Sequence, residues 1–173
     1  MALIRTLGGF TPRIGSNCFL AETSVIIGDV EIGDESSVWY GAVIRGDVNP
    51  IRIGRRVNIQ DNAVLHTLYK KSEVIIYDDV TVGHNATIHG ATVQSGALVG
   101  IGATVLDFAV VGEGAIVAAN ALVLSGTTIE PGTIYAGVPA RFIKRVDPNQ
   151  TLEMNMRIAR DYIMYSSWYG KNG

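Results

Sequence analysis

VQSGALVGIGATVLDFAVVGEGAIVAANALVLSGTTI, residues 93–129, repeats itself every six positions. Val93, Val99, Val105, Val111, Val117, Val123 and Ile129 mark the period, and a small residue stands four places after each of the first five: Ala97, Ala103, Ala109, Ala115 and Ala121. A period of six is neither the 3.6 of an amphipathic helix nor plain alternation, although each unit contains alternation. Short strands joined by turns satisfy it. An aliphatic or β-branched residue points inward, a small residue fills the corner, and Gly or Asn lets the backbone turn.

The same register extends towards the N-terminus through Ile76, Val82 and Ile88, through Ile53, Ile59 and Leu65, and from Ile14 through Leu20, Ile26, Ile32 and Val38 to Ile44. That makes nineteen hexads. Repetition on this scale decides the fold class before any single residue is weighed. The pattern resembles the hexapeptide-repeat left-handed β-helices, in which three hexads form one triangular coil. It predicts an all-β repeat of about six coils, stacked as parallel strands about 4.8 Å apart.

The register breaks twice. Three extra residues between Ile44 and Ile53 predict a small loop at Asp47-Val48-Asn49-Pro50, and five between Leu65 and Ile76 predict a second from Leu68 to Glu73. Loops on a rigid repeat scaffold are where sites are usually built. A shortened, five-residue unit runs from Ile88 to Thr92.

Beyond the hexads the chain changes character. Asp147 reads as an N-cap, with Pro148 at the first helical position and Gln150 three residues after the cap. Leu152, Met156, Ala159 and Ile163, with Tyr162, Tyr165, Trp168 and Tyr169, then recur at helical spacing to near Gly170. The expected organisation is a single domain over 1–173: a left-handed parallel β-helix at about 10–145 and a C-terminal α-helix at about 147–170, packed along its side.

Composition narrows the function classes. A net charge of -2 over 173 residues, with dispersed basic residues, excludes a nucleic-acid footprint. No apolar run reaches the roughly 18 residues of a membrane span, and no signal-peptide pattern opens the chain. Cys18 is the sole cysteine, which precludes an intrachain disulfide or thiolate cluster, points to a small core residue, and suits a reducing cytoplasm. Hydrophobic residues at 47% against 17% charged favour buried subunit contacts.

All three histidines lie between positions 66 and 89. Imidazole is the commonest zinc ligand, and a catalytic zinc takes three protein ligands with one position open. His66 follows Leu65 and His89 follows Ile88, so both take the outward second position of a hexad and should sit one above the other on adjacent coils. His84 is the third residue of the hexad from Val82 and belongs to the preceding face. It reaches the other two only if chains pack about a threefold axis, which predicts a homotrimer with three interfacial sites.

The quoted motifs become specific in combination. RGDVNPIRIG from Arg45, NIQDNAVLH from Asn58 to His66, VGHNATIH from Val82 to His89 and AGVPAR from Ala136 together resemble the gamma-class carbonic anhydrase family over essentially the whole chain. The resemblance implies His66, His84 and His89 as ligands of zinc, or of iron or cobalt, across a trimer interface, and reversible hydration of carbon dioxide to bicarbonate. It implies that Gln60 orients the reacting water, with Asn58 two positions earlier facing the same side. It implies that Arg45, Asp47 and Asp61 form ion pairs between subunits. Tyr162 matches a tyrosine of the metal pocket; simple packing accounts for it equally well.

The chain departs from that family at two points. Val48 stands where members with an efficient proton relay carry glutamate, and Leu68-Tyr69-Lys70-Lys71 stands where they carry an acidic loop. Glu73 is the candidate substitute, at a place that the sequence does not fix. Slow or buffer-dependent turnover is the expectation, as in the shorter branch of the family. Two rival readings are a hexapeptide acyl- or acetyltransferase, which leaves two histidines without a task, and a non-catalytic, metal-containing assembly protein.

Overall fold

A computed structural model describes residues 1–169. Each of the nineteen hexad residues lies in a strand, and the strands stack into three parallel faces. One face carries Ile14, Ile32, Ile53, Ile76, Val93, Val111 and Ile129 in register. The second carries Leu20, Val38, Ile59, Val82, Val99 and Val117, and the third Ile26, Ile44, Leu65, Ile88, Val105 and Val123. The architecture is the expected left-handed parallel β-helix with one C-terminal helix.

The coil has about seven turns rather than six. Leu3–Arg5 stacks Ile4 on Ile26 at one end, and Thr133–Ala136 stacks Tyr135 on Val117 at the other, so the register outruns the hexads visible in the sequence. Thr133–Ala136 also pairs antiparallel with Arg141–Arg145, a hairpin that the repeat does not foretell.

The interior follows the hexad chemistry. Inward aliphatic residues from Ile26 to Ile129 are buried, and the corner alanines Ala97, Ala103, Ala109, Ala115 and Ala121 are at most 1% exposed. Such a column tolerates no truncation cheaply; replacing Leu65 or Ile88 by Ala would cost about 2–5 kcal/mol. Cys18 is half-buried against this core, its Sγ 3.2 Å from the Gly33 carbonyl.

The residues expected to loop at Asp47–Pro50 are extended instead. Val43–Ile53 is one strand of 11 residues in which Gly46 pairs with Gly28 and Ile51 with Val30, so four residues oppose Asp29 as a bulge. Gly46 is required there, because a Cβ would lie 2.5 Å from the Asp29 carbonyl oxygen. The second break is a true loop after His66: the N–H groups of Lys71 and Ser72 both donate to the Leu68 carbonyl.

The helix spans Pro148–Ser167, with Asp147 as N-cap accepting from the Asn149 N–H. The side chain of Gln150 and the expected end near Gly170 lie outside the described residues. The buried points on the helix are Thr151, Asn155 and Ala159 rather than Leu152, Met156 and Ile163. Asn155 is fully buried and donates to the Gly96 carbonyl at 2.7 Å, which ties the helix to a coil corner on the second face. Near its end Tyr162 stands edge-on to Trp39, with ring centroids 5.2 Å apart. Among the described residues no helix is long and apolar enough to cross a membrane.

Candidate metal centre

His66 and His89 face one another because their coils do. Leu65 pairs with Ile88 and His66 with His89 across adjacent parallel strands, and His66 Nδ1 lies 3.1 Å from His89 Nε2. Each ring has a carboxylate on its other nitrogen: His66 Nε2 is 3.0 Å from Asp47 Oδ1, and His89 Nδ1 is 3.0 Å from both oxygens of Asp107.

The carboxylates assign the protons. Burial pushes the Asp47 carboxyl up, but hydrogen bonds from Arg45 and His66 outweigh it and hold the group below its ordinary value. Asp107 behaves alike, with Ser72 and His89 outweighing burial. An ionised carboxylate only accepts, so each facing imidazole nitrogen carries the hydrogen. The nitrogens that remain, His66 Nδ1 and His89 Nε2, therefore present lone pairs to each other. Burial, with the charges of Arg45 and His89, lowers the His66 pKa despite Asp47.

A cation with nitrogen-ligand chemistry resolves that opposition. Two nitrogens on one tetrahedral zinc, each about 2.05 Å from it, stand roughly 3.3 Å apart, close to the separation observed. Carboxylates that orient metal-ligating imidazoles through their second nitrogen are the usual outer shell of such sites. The donor set fits zinc.

His84 lies on the second face and has its own carboxylate, Asp61, with Nδ1 2.8 Å from Oδ2. Among the described residues no group of three or more His, Cys, Asp or Glu side chains converges as a metal cage within the chain. Within one chain the structure therefore brings His66 and His89 together and leaves His84 apart. Arg45, Asp47 and Asp61 were expected to pair between subunits. In the chain itself Arg45 pairs with Asp47, which also accepts from His66, while Asp61 contacts His84.

Behind His84 runs a buried amide chain. Asn58 Nδ2 donates to Thr81 Oγ1 at 2.9 Å, Gln60 Nε2 donates to Asn58 Oδ1 at 2.9 Å, and the His84 backbone N–H donates to Gln60 Oε1 at 3.2 Å. Asn58 and Gln60 are 1% and 5% exposed, so the Gln60 amide is fixed at both ends. Tyr162 stands on this side of the molecule. Burial, aided by the charge of Asp61, pushes its phenol up to about 12.

Several contributors lay outside the sequence reading. Asp107 is the third residue of the hexad from Val105, one coil beyond His89, a position that the register could have flagged. Ser72 Oγ lies 2.6 Å from Asp107 Oδ1 and accepts from the Leu68 N–H, while Asn49 Nδ2 donates to the carbonyls of Leu68 and Ser72. The loop after His66 is thereby fastened between the Asp47–Pro50 bulge and the coil of Asp107.

Known proteins share this chain's sequence and fold. A family model described as bacterial transferase hexapeptide (six repeats) matches residues 11–46. The chain is 45% identical to a carbonic anhydrase of Geobacillus kaustophilus (strain HTA426), over 93% of this chain and 87% of that one. It is 43% identical to gamma carbonic anhydrase 2, mitochondrial, of Arabidopsis thaliana, over 88% of this chain and 56% of that one. Among solved structures, a hexapeptide transferase family protein from Anaplasma phagocytophilum superposes with a TM-score of 0.91 at 38% identity, covering 96% and 98% of the two chains. With 87% of a carbonic anhydrase matched at 45% identity on a coil whose paired histidines suit a metal, the chain belongs to the gamma carbonic anhydrase family.

Proposed function

We propose that this protein is a zinc-dependent carbonic anhydrase that hydrates carbon dioxide to bicarbonate at sites shared between the chains of a cytoplasmic homotrimer. The observation that carries the reading is the His66–His89 pair, whose Nδ1 and Nε2 nitrogens face each other at 3.1 Å with a carboxylate behind each ring. His66 and His89 hold the ion from one chain, and His84 of a second copy completes the three-imidazole set. The chemistry that zinc, or iron or cobalt in its place, supplies in such a set is a water acidified to a pKa of about 7.

The chain's own residues do the rest. Asp47 and Asp107 keep the two rings in the tautomer that offers a lone pair. Gln60, immobilised by Asn58 and the His84 backbone, presents its spare amide hydrogen and carbonyl lone pair to orient the reacting water. Large apolar residues continue both histidine columns: Ile101 stands one coil above His84 at 53% exposed, and Leu124 lies on the His66–His89 face at 42%. Their exposure on these two faces supports a trimer in which another copy covers them. Val48 stands where an acidic relay would, so proton export to buffer limits turnover.

Acyl transfer is the second reading, favoured by the hexapeptide transferase description of residues 11–46. One experiment separates the readings. Subunits carrying His84→Ala are mixed with subunits carrying both His66→Ala and His89→Ala, and zinc content and carbon dioxide hydration are measured. Neither parent should retain metal, whereas mixed trimers should regain one site each. Metal-free wild type that turns over an acyl-coenzyme A would overturn the proposal, and stoichiometric zinc without hydration would leave a metal-containing assembly protein.

A further inference from the structure

We infer that Asp107 is the positioning residue that presents His89 to a metal, and that Ser72 locks it from the loop after His66. The inference deepens the proposed function and rests on its assignment of His89 as a ligand.

Three independent features converge on Asp107. Its hexad stacks directly on that of His89, with Val105 paired to Ile88, so the coil brings the carboxylate to the ring without any loop rearrangement. Both oxygens lie 3.0 Å from His89 Nδ1, which fixes the hydrogen there and leaves Nε2 bare towards His66. The carboxylate cannot swing away, because Ser72 Oγ holds Oδ1 at 2.6 Å and is itself held by the Leu68 N–H.

The backbone between them is shaped around this contact. Gly90, directly after His89, has φ +60, and a Cβ there would lie 2.0 Å from Ser72 Oγ and 2.1 Å from Asp107 Oδ1. The five-residue unit that follows Ile88 brings this left-handed residue one place early, at the third position instead of the fourth, and so clears space for the Ser72–Asp107 pair. An aspartate at an ordinary coil corner needs none of these arrangements. Here the loop that follows one proposed ligand clamps the carboxylate that orients the next.

The test compares the wild-type full chain with Asp107→Ala and Ser72→Ala. Three histidines make the imidazole nitrogen spectrum assignable by single substitution. In chelator-treated protein at alkaline pH, wild-type His89 should show the hydrogen on Nδ1, and Asp107→Ala should move it towards Nε2, the tautomer that free imidazole side chains prefer. Zinc affinity, read by competition with a chromophoric chelator, should fall about 10–100-fold in Asp107→Ala. Ser72→Ala should lower it by less, in the same direction, and it carries the test if Asp107→Ala does not fold. Wild-type His89 with its hydrogen on Nε2, or variants with unchanged tautomer and unchanged affinity, would overturn the inference. Wild type that binds no zinc would instead defeat the metal reading, and the tautomer comparison would still decide what Asp107 does.

Discussion

His66 Nδ1 and His89 Nε2 stand 3.1 Å apart across two adjacent coils, each ring backed by a carboxylate on its far nitrogen. The relationship is produced by strand register, because residues at the same hexad position on consecutive coils must be neighbours. The carboxylates then convert proximity into donor chemistry. Four consequences can be measured.

Gly90→Ala should be disproportionately damaging for so small a change. The substitution asks an L-residue to hold φ +60, worth about 1–2 kcal/mol, and drives a methyl into Ser72 and Asp107. Chemical denaturation should register at least that loss of stability, together with weaker zinc binding. Gly126→Ala, where nothing lies within 4 Å of the new methyl, should show the strain alone and leave metal affinity intact.

Gln60→Ala leaves Asn58 Oδ1 without its buried donor and the His84 N–H without its acceptor. About 1–3 kcal/mol of stability should be lost in urea melts. If Gln60 orients the reacting water, hydration should fall about 10–100-fold while zinc content stays stoichiometric.

Val48→Glu restores an acidic side chain beside Asp47. Stopped-flow hydration by the wild type should rise steeply with imidazole buffer concentration. In the variant the rate in dilute buffer should exceed that of wild type by more than about tenfold, and the buffer dependence should flatten. Equal dependence in both proteins would mean that proton export is not the slow step.

Tyr162 supplies a pH signature. Its phenol is raised to about 12, by burial first and the Asp61 charge second, so the neutral form is favoured in the folded state. The associated stability is fully present below the ordinary tyrosine value near 10 and is lost as pH climbs towards 12. Ultraviolet difference titration of wild type against Tyr162→Phe should reveal one tyrosine ionising late. Removing the ring, as in Tyr162→Ala, should cost more than removing the hydroxyl, because the edge-on contact with Trp39 goes with it.

Much of the fold was legible in the sequence because the hexad is a local code. Each of Val93 to Ile129 had to turn inward, and each corner alanine had to be small. The His66–His89 pairing was legible for the same reason. Other features escaped because their causes are not local. Counting residues marks the Asp47–Pro50 surplus as a loop but cannot show that Asp29 on the neighbouring strand opposes four extended residues as a bulge. On the helix, apolar periodicity pointed to Leu152 and Met156, whereas the Gly96 carbonyl needed a donor and drew Asn155 inward.

The repeat, its three-faced stacking and the placement of two histidines on one column follow from the order of residues, because strand pleat and turn chemistry act over a few residues. What those histidines can do depends on partners that the stacked coils bring to them. Asp47 lies 19 residues before His66, and Asp107 lies 18 after His89 and 35 after Ser72. No short-range preference joins such partners; the rise of one coil onto the next does, and with it the direction in which each imidazole offers its lone pair.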